Sequence, residues 1–235
     1  SVAAPADNLP GIADGVKGMK FALPKEFLSE ALAPDIAAAL RHTADRLTAL
    51  GATVEEVTMP ELDKALPAYY VISSAEASSN LARFDGVKYG FRAQNFTDIH
   101  GLYKETRSQG FGAEVKRRIL LGSYVLSAGY YDAYYKKALE VRALIKAAFD
   151  KVFEQYDAVL SPVAPTTAYK LGEKVDDPLA MYLGDVYTVP VNIAGLPSLS
   201  LPCSQDHEGL PIGLQLIGKP CGEAALYRAG YTLEQ

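Results

Sequence analysis

Two short strand-forming runs stand on either side of a single helix-forming stretch near the start of the chain. Residues 19–23 are apolar and residues 52–58 are rich in β-branched side chains, and a proline follows each run. Between them, Pro34 and Asp35 occupy favoured first positions of a helix, and Gly51 ends it. This order predicts two parallel strands joined by a right-handed crossover. We expect the helix to bury one stripe: Ile36, Leu40, Ala44, Leu47 and Leu50.

Three further strands are predicted in the last third of the chain. Residues 157–163 form a short apolar run that meets proline, as buried parallel strands often do. Residues 198–201 and 211–217 are predicted to pair as a hairpin across 204–210. A last helix begins near Glu223. Parallel and antiparallel pairs in one chain predict an α/β fold with a mixed sheet.

The middle of the chain is predicted to be helical. Helices are expected at residues 98–109, 113–126 and 131–155, with a break at 110–112. Tyrosines 130, 131, 134 and 135 cluster where the last of these begins, a pattern more typical of packing at a domain rim than of a binding site. The side chains expected to point inward on it are Tyr131, Tyr134, Ala138, Val141, Ile145, Ala148 and Val152.

Two segments lack any periodic pattern. Residues 1–15 are rich in Ala, Pro and Asp and are predicted to be a linker or loop, so that one domain would span residues 16–235. Residues 165–182 are predicted to be a loop, with turn-forming residues at 166–167 and 176–178.

Residues 67–90 combine small side chains with a periodic set of polar ones. At helical spacing, one side would carry Leu66, Tyr70, Ala77, Leu81 and Phe84. A second side would carry Tyr69, Ser73, Glu76, Asn80 and Arg83. Such a helix could pack on a core while its polar stripe faces a cleft, but most polar stripes only face water. Periodicity alone leaves both interpretations open.

Charge and composition exclude several classes of function. A net charge of −5 and a pI near 5.3 argue against direct nucleic-acid binding, which needs a concentrated basic face. No apolar run is long enough to cross a bilayer, and no signal peptide opens the sequence. Cys203 and Cys221 lack metal or redox spacing, and His42, His100 and His207 lie far apart, so no metal site is expected.

Self-contained catalytic motifs are absent from the sequence. It holds no Walker loop, no G-x-G-x-x-G after a strand, no H-E-x-x-H and no G-x-S-x-G. Ser73, Ser74, Ser78 and Ser79 lie in a predicted helix with no Lys or His beside them. We therefore interpret them as packing residues and not as nucleophiles.

Several blocks of the sequence resemble one known family. SSAEASSNLARFDGVKYG and GFGAEVKRRILLGSYVLSAGYYDAYYKKA are similar to the C-terminal half of the A subunits of glutamyl-tRNA(Gln) amidotransferases, a branch of the amidase signature family. VKGMKFALPKEF, YDAVLSPVAPTTA, TVPVNIAGLPSLSLPC and GLPIGLQLIGKP resemble the remaining family blocks in the expected order. The resemblance covers nearly all of residues 16–235 and implies an α/β/α sandwich with a mixed central sheet, here only in its C-terminal portion.

The resemblance also implies which chemistry this chain lacks. Amidases of this family use a serine nucleophile, a second serine preceded by a cis peptide bond, and a lysine, all in the N-terminal half. No stretch of this sequence matches that Gly/Ser-rich signature, so no catalytic residue is assigned here. The whole protein is expected to be an enzyme that hydrolyses glutamine, whereas these 235 residues alone are expected to be inactive.

Glutamine recognition is the task that the resemblance assigns to this half. The glutamine-binding tyrosine, arginine and aspartate of the family match Tyr69, Arg118 and Asp185. An arginine fork suits the α-carboxylate of glutamine, and an acid or a hydroxyl suits its α-ammonium group. The alternative for Lys116, Arg117 and Arg118 is a solvated basic helix face. Adjacency in the sequence does not decide between Arg117 and Arg118.

The resemblance further implies a cytoplasmic (or organellar matrix) assembly. The B and C subunits of the amidotransferase would be partners, and ammonia from glutamine would convert Glu-tRNA(Gln), or Asp-tRNA(Asn), at the B subunit with ATP and Mg²⁺. No cofactor is expected in this chain, and misacylated tRNA would be reached only through the B subunit. The alternatives are a stand-alone amidase of the same family and a non-catalytic interaction fragment.

Overall fold

The computed structural model describes residues 7–29, 31–173 and 178–235, and the chain divides into two units. Residues 1–66 and 142–235 form the first unit, and residues 67–141 form the second. The first six residues of the predicted linker, and residues 176–177 of the predicted turn at 176–178, lie outside the described residues. The prediction of one domain from residue 16 to residue 235 stays a prediction.

A five-stranded mixed sheet forms the centre of the first unit. Its strands are β1 (Lys20–Pro24), β2 (Thr53–Val57), β3 (Ala158–Pro162), β4 (Ser198–Gln205) and β5 (Pro211–Gly218), in the order β2-β1-β3-β5-β4. β1 pairs in parallel with both β2 and β3, whereas β5 is antiparallel to β3 and β4. The predicted parallel pair, the hairpin and the α/β class with a mixed sheet are all confirmed.

All five residues of β3 are buried, because this strand lies in the middle of the sheet and both of its faces are covered. On one face, α1 (Pro34–Ala49) contributes Leu40 and Leu47 to the core, and α8 (Glu223–Glu234) contributes Leu226 and Ala229. On β5, the Gln215 amide nitrogen lies 2.8 Å from the carbonyl oxygen of Tyr187 and holds that segment to the sheet.

Helix α1 buries its aliphatic stripe, with one exception. Ile36, Leu40 and Leu47 are buried, and Ala44 packs against the same core. The expectation for Leu50 is wrong: it follows the last helical turn, and 43% of its surface is exposed. The helix ends there because Gly51 adopts φ +90°, a left-handed conformation that glycine reaches without steric cost.

The second unit is helical, as predicted, but one helix begins differently. Helix α2 spans Ala65–Leu81, α3 spans Ile99–Gly110 and α4 spans Ala113–Val125. The helix expected at 131–155 opens with a π-helical turn, Tyr131–Lys136, and continues as α5, Lys137–Val152. Ala138 and Ile145 are buried as expected, but Tyr131 and Tyr134 are exposed, because the wider π turn shifts the facing of the side chains before α5.

Two short helices lie in segments for which no helix is predicted. Helix α6 spans Pro178–Leu183 and α7 spans Val189–Ala194. Helix α7 buries five of its six residues and ends at Gly195 (φ +70°). Both helices are shorter than the two turns over which a periodic pattern can be recognised. Only their prolines and the glycine after α7 were local indications of a helix.

Candidate functional site

Helix α2 packs through its smallest side chains. Ala65, Ala68, Ser74 and Ala75 are its buried residues, whereas Tyr70, Ala77 and Leu81 are only partly buried. The predicted apolar side is therefore wrong, and Phe84 lies beyond the end of the helix and is exposed. The face was misplaced because alanine and serine contribute little to a hydrophobic pattern, although they let backbones approach closely.

Helices α2 and α4 approach each other closely at Gly122. A Cβ atom added at Gly122 of α4 would lie 2.0 Å from the carbonyl oxygen of Ser74 and 2.7 Å from Cβ of Ser78. No side chain fits at that distance, so position 122 admits only glycine at this backbone separation. The small face of α2 and Gly122 together set how closely the two helices lie.

The polar stripe of α2 divides into two parts. Tyr69 and Ser73 are partly buried, whereas Glu76, Asn80 and Arg83 are exposed. The solvated interpretation therefore describes the C-terminal part of the stripe. Its N-terminal part, at Tyr69, lies beside Arg118 of α4.

Arg118 of α4 is surrounded by groups that hold it in place. Its Nε donates to Glu114 Oε1 at 3.0 Å, one helical turn earlier. Its guanidinium carbon lies 5.5 Å from the centroid of the Tyr70 ring. The rings of Tyr69 and Tyr70 meet edge to face, with centroids 5.2 Å apart. The bond to Glu114 thus uses the Nε edge of the Arg118 guanidinium.

The pKa of Arg118 reflects these contacts. Partial burial lowers it, but hydrogen bonding to Glu114 and to Tyr69 raises it more, so the net shift is upward. The side chain is therefore positively charged at neutral pH. A fixed, planar cation beside a tyrosine hydroxyl suits recognition of a carboxylate.

Arg117 and Arg118 differ in exposure. The Arg118 side chain is 29% exposed and Arg117 is 54% exposed. Both contact Glu114, Arg117 through Oε2 and Arg118 through Oε1. Arg118 also interacts with Tyr69 and Tyr70. The structure thus brings Tyr69 and Arg118 together.

Asp185 belongs to the first unit, whereas Tyr69 and Arg118 belong to the second. It is exposed in the turn after α6, and its carbonyl oxygen accepts hydrogen bonds from the amides of Thr188 and Val189 at 3.1 and 3.0 Å. It borders a cavity of about 390 Å³, whose other lining residues are residues 164–169, Met181 and Gly184. The backbone of Asp185 is therefore held in a defined turn, and its side chain lies beside open space.

Two serines of α2 have buried hydroxyl oxygens. Among the described residues, neither Ser73 Oγ nor Ser74 Oγ has a hydrogen-bond partner. Ser78 Oγ donates to the carbonyl oxygen of Ala75 at 2.9 Å, within its own helix. No base therefore contacts the hydroxyl groups of Ser73 or Ser74 in the part of the chain that the structure describes.

Sequence reasoning missed two residues that orient Arg118. Glu114 lies four positions earlier, a spacing that places the two side chains on one helix face, so an acid–arginine pair at this spacing was a detectable signal. Tyr70 was assigned to the apolar side of α2, but its ring packs against the guanidinium. No sequence pattern indicates that contact, since it joins two helices.

The described residues were also searched for a metal site and for a membrane-spanning helix. Within residues 7–29, 31–173 and 178–235, no three His, Cys, Asp or Glu side chains come together as a possible metal site. Over the same residues, no helix is both long and apolar enough to span a membrane.

Comparison with known proteins identifies the family. A family model described as Amidase matches residues 4–227. The chain belongs to the amidase family. The mixed sheet is thus the amidase sheet in part, and the resemblance of the sequence blocks is confirmed.

Two curated relatives share one name. The A subunit of glutamyl-tRNA(Gln) amidotransferase from Agathobacter rectalis is 59% identical over 224 residues, which are 95% of this chain and 44% of that protein. The protein of the same name from Staphylococcus aureus (strain JH9) is 55% identical, over 100% of this chain and 49% of its own length. The chain therefore spans about half the length of the relatives that it matches.

A solved structure with the same name has a similar fold. The crystal structure of the glutamyl-tRNA(Gln) amidotransferase A subunit from Thermotoga maritima matches with a TM-score of 0.77 and 38% identity. The match covers all of this chain and 46% of that one.

Proposed function

We propose that this chain is the glutamine-recognition part of the A subunit of a tRNA-dependent amidotransferase. In the whole protein, glutamine would be hydrolysed through an acyl-enzyme intermediate, with an oxyanion site stabilising the tetrahedral intermediate. The nucleophile would come from outside the residues present here. The names of the 59% and 55% identical relatives support this assignment.

The arrangement around Arg118 is the observation on which the proposal depends. Glu114 and Tyr70 fix the guanidinium from one edge and one ring face, and Tyr69 lies beside it. We propose that the Nη atoms of Arg118 bind the α-carboxylate of glutamine and that the Tyr69 hydroxyl assists. Asp185 is proposed separately as a ligand of the α-ammonium group, because its carboxylate is exposed beside a cavity.

The test is Arg118→Lys in the full-length protein. Lysine keeps the charge but loses the planar fork, so we expect KM for glutamine to rise at least about tenfold, equivalent to about 1.4 kcal/mol. Arg117→Lys is the matched control, because it is adjacent and more exposed, and it should leave KM unchanged. An unchanged KM for Arg118→Lys, or equal effects of the two variants, would remove Arg118 from the site.

The proposed pathway transfers the ammonia to partner subunits. The B subunit would use it, with ATP and Mg²⁺, to convert Glu-tRNA(Gln) or Asp-tRNA(Asn), and the C subunit would bridge the other two, in the cytoplasm or an organellar matrix. The net charge of −5 supports a protein that reaches tRNA through a partner.

The two alternatives are a stand-alone amidase and a non-catalytic interaction fragment, and both differ from the proposal in activity or in assembly. A stand-alone amidase would hydrolyse simple amides and would not bind purified B and C subunits. We expect the 235-residue chain alone to show no glutaminase activity. Turnover that survived combined replacement of Ser73, Ser74, Ser78 and Ser79 would show that another nucleophile is present and would contradict the proposal.

A further inference from the structure

Gln215 is a polar side chain of β5 that is buried in the first unit, with only 2% of its surface exposed. Its Nε2 atom donates to the carbonyl oxygen of Tyr187 at 2.8 Å, to that of Pro162 at 3.1 Å and to Ser161 Oγ at 3.2 Å. Carbonyl oxygens only accept hydrogen bonds, so the NH₂ group of the amide is the group that faces them. A side chain without an NH₂ donor cannot replace these bonds.

The two carbonyl groups bound by Gln215 belong to the two chain segments that line one cavity. Pro162 ends β3, and the chain continues into residues 164–169, which line the cavity of about 390 Å³. Tyr187 follows shortly after Asp185, which lines the same cavity. One buried amide nitrogen therefore ties both lining segments to β5.

Tyr187 is held by its ring as well as by its carbonyl group. It is buried, and its ring meets that of Phe27 edge to face, with centroids 5.7 Å apart. Asp185 is joined to this anchored residue by a tight turn, since its carbonyl oxygen accepts from the amides of Thr188 and Val189. The position of Asp185 at the cavity therefore depends on Tyr187, and the position of Tyr187 depends on Gln215.

We propose that Gln215 is a positioning residue for recognition of the α-ammonium group of glutamine. It holds the Tyr187 carbonyl group, and through it the turn that places Asp185 beside the cavity. Without this donor a buried carbonyl group would be left unpaired, which is unfavourable, so the segment would shift and Asp185 would move with it. The inference rests on the proposed function, in which Asp185 binds the α-ammonium group.

The experiment uses the full-length protein and two ligands that differ in one group. Glutamine carries the α-ammonium group, and glutaramate is the same molecule without it. Gln215→Met keeps the length of the side chain and removes the NH₂ donor. We expect KM for glutamine to rise about tenfold, because a small displacement of a binding group weakens its contact, whereas Ki for glutaramate as a competitive inhibitor should change less than about twofold.

Ser161→Ala is the matched control. Ser161 Oγ belongs to the same buried cluster, but the bonds from Gln215 to Pro162 and Tyr187 do not involve it. This variant should leave KM for glutamine and Ki for glutaramate unchanged. A selective rise of KM for glutamine in Ser161→Ala would show that any change in the cluster has this effect, and would overturn the specific role of Gln215.

Gln215→Asn is a second variant, for use if Gln215→Met does not fold. It keeps an amide in the cluster, but its side chain is shorter by a methylene group and cannot reach the Tyr187 carbonyl oxygen as Gln215 does. We expect the same selective rise of KM for glutamine. Unchanged constants in a folded Gln215 variant, or equal weakening of both ligands, would overturn the inference.

Asp185→Asn separates failure of the inference from failure of the proposed function. If it raises KM for glutamine selectively and the Gln215 variants do not, only the inference fails. If Asp185→Asn has no selective effect, the assignment of Asp185 in the proposed function fails, and the inference fails with it. In the double variant, Gln215→Met should add nothing to the effect of Asp185→Asn, because the carboxylate that Gln215 positions is already gone. Additive effects would overturn the inference.

Discussion

Helices α1 and α2 have nearly the same length, 16 and 17 residues, but they are held by opposite means. Helix α1 buries Leu40 and Leu47 in the sheet core, so its attachment depends on apolar area. Helix α2 buries alanines and Ser74, and its contact with α4 depends on how closely two backbones can lie. The difference teaches that α1 should be sensitive to lost side-chain volume and α2 to added volume.

The largest effect is expected from Leu47→Ala on α1. Leu47 is fully buried, so the change removes transferred area and leaves a cavity, at a cost of about 3 kcal/mol in the free energy of unfolding. Urea denaturation measures this change. Leu50→Ala is the control and should cost less than about 0.5 kcal/mol, because Leu50 is exposed. Equal costs would show that buried apolar area does not determine how strongly α1 is attached to the sheet.

Gly122→Ala on α4 adds side-chain volume, whereas Leu47→Ala removes it. It should also destabilise the fold, by a somewhat smaller amount. One added methyl group would overlap the Ser74 carbonyl, so the helices must separate, at a cost of about 2 kcal/mol. Thermal unfolding checks the loss of stability. Gly112→Ala is the control, since a Cβ there meets no atom within 4 Å. Gly112 is the N-cap of α4, where alanine is less favourable than glycine, so this variant should cost about 0.5–1 kcal/mol. If Gly122→Ala were neutral, the close approach would have no energetic importance.

The smallest effect concerns an exposed pair at the start of α1. His207 Nδ1 lies 2.8 Å from Asp35 Oδ2. Hydrogen bonding to His207 lowers the pKa of Asp35, and hydrogen bonding to Asp35 raises the pKa of His207. Because its pKa is raised, His207 contributes stability that is fully present below about pH 6.5. This contribution is lost as pH rises through the folded-state pKa of His207. Because its pKa is lowered, Asp35 contributes stability to the fold that is fully present above about pH 3.9. This contribution is lost as pH falls through the folded-state pKa of Asp35.

NMR titration of the His207 ring measures this pair directly. Asp35→Asn should return the pKa of His207 towards its ordinary value and remove the pair's stabilisation between about pH 4 and pH 6.5. An unchanged His207 titration in Asp35→Asn would contradict the assignment.

The sequence predicted α1 far better than α2, for a physical reason. Ile36, Leu40 and Leu47 are large apolar residues whose spacing reports a buried face. The small buried residues of α2, such as Ser74 and Ala75, contribute almost nothing to such a pattern. The strands were predictable because apolar runs bounded by proline and turn residues mark them directly.

The candidate site was predictable only in part. The resemblance selected Tyr69 and Arg118, and the structure brings these two together. Arg117 and Arg118 are adjacent and differ by about 100° around the helix, so only the position of α2 distinguishes them. Glu114 was within reach of sequence reasoning because of its spacing from Arg118, whereas the Tyr70 contact required the structure.

The order of strands has a consequence for how the protein is made. The Lys20 amide donates to Asp157, 137 residues later in the chain, and β1 pairs with β3 just beyond that point. At about 5–20 residues per second, a ribosome needs on the order of ten seconds to synthesise the stretch between these partners. All of residues 67–141 leave the ribosome within that interval. We expect β1 and β2 to acquire protease resistance only after β3 has emerged, and earlier protection on stalled ribosomes would contradict this order.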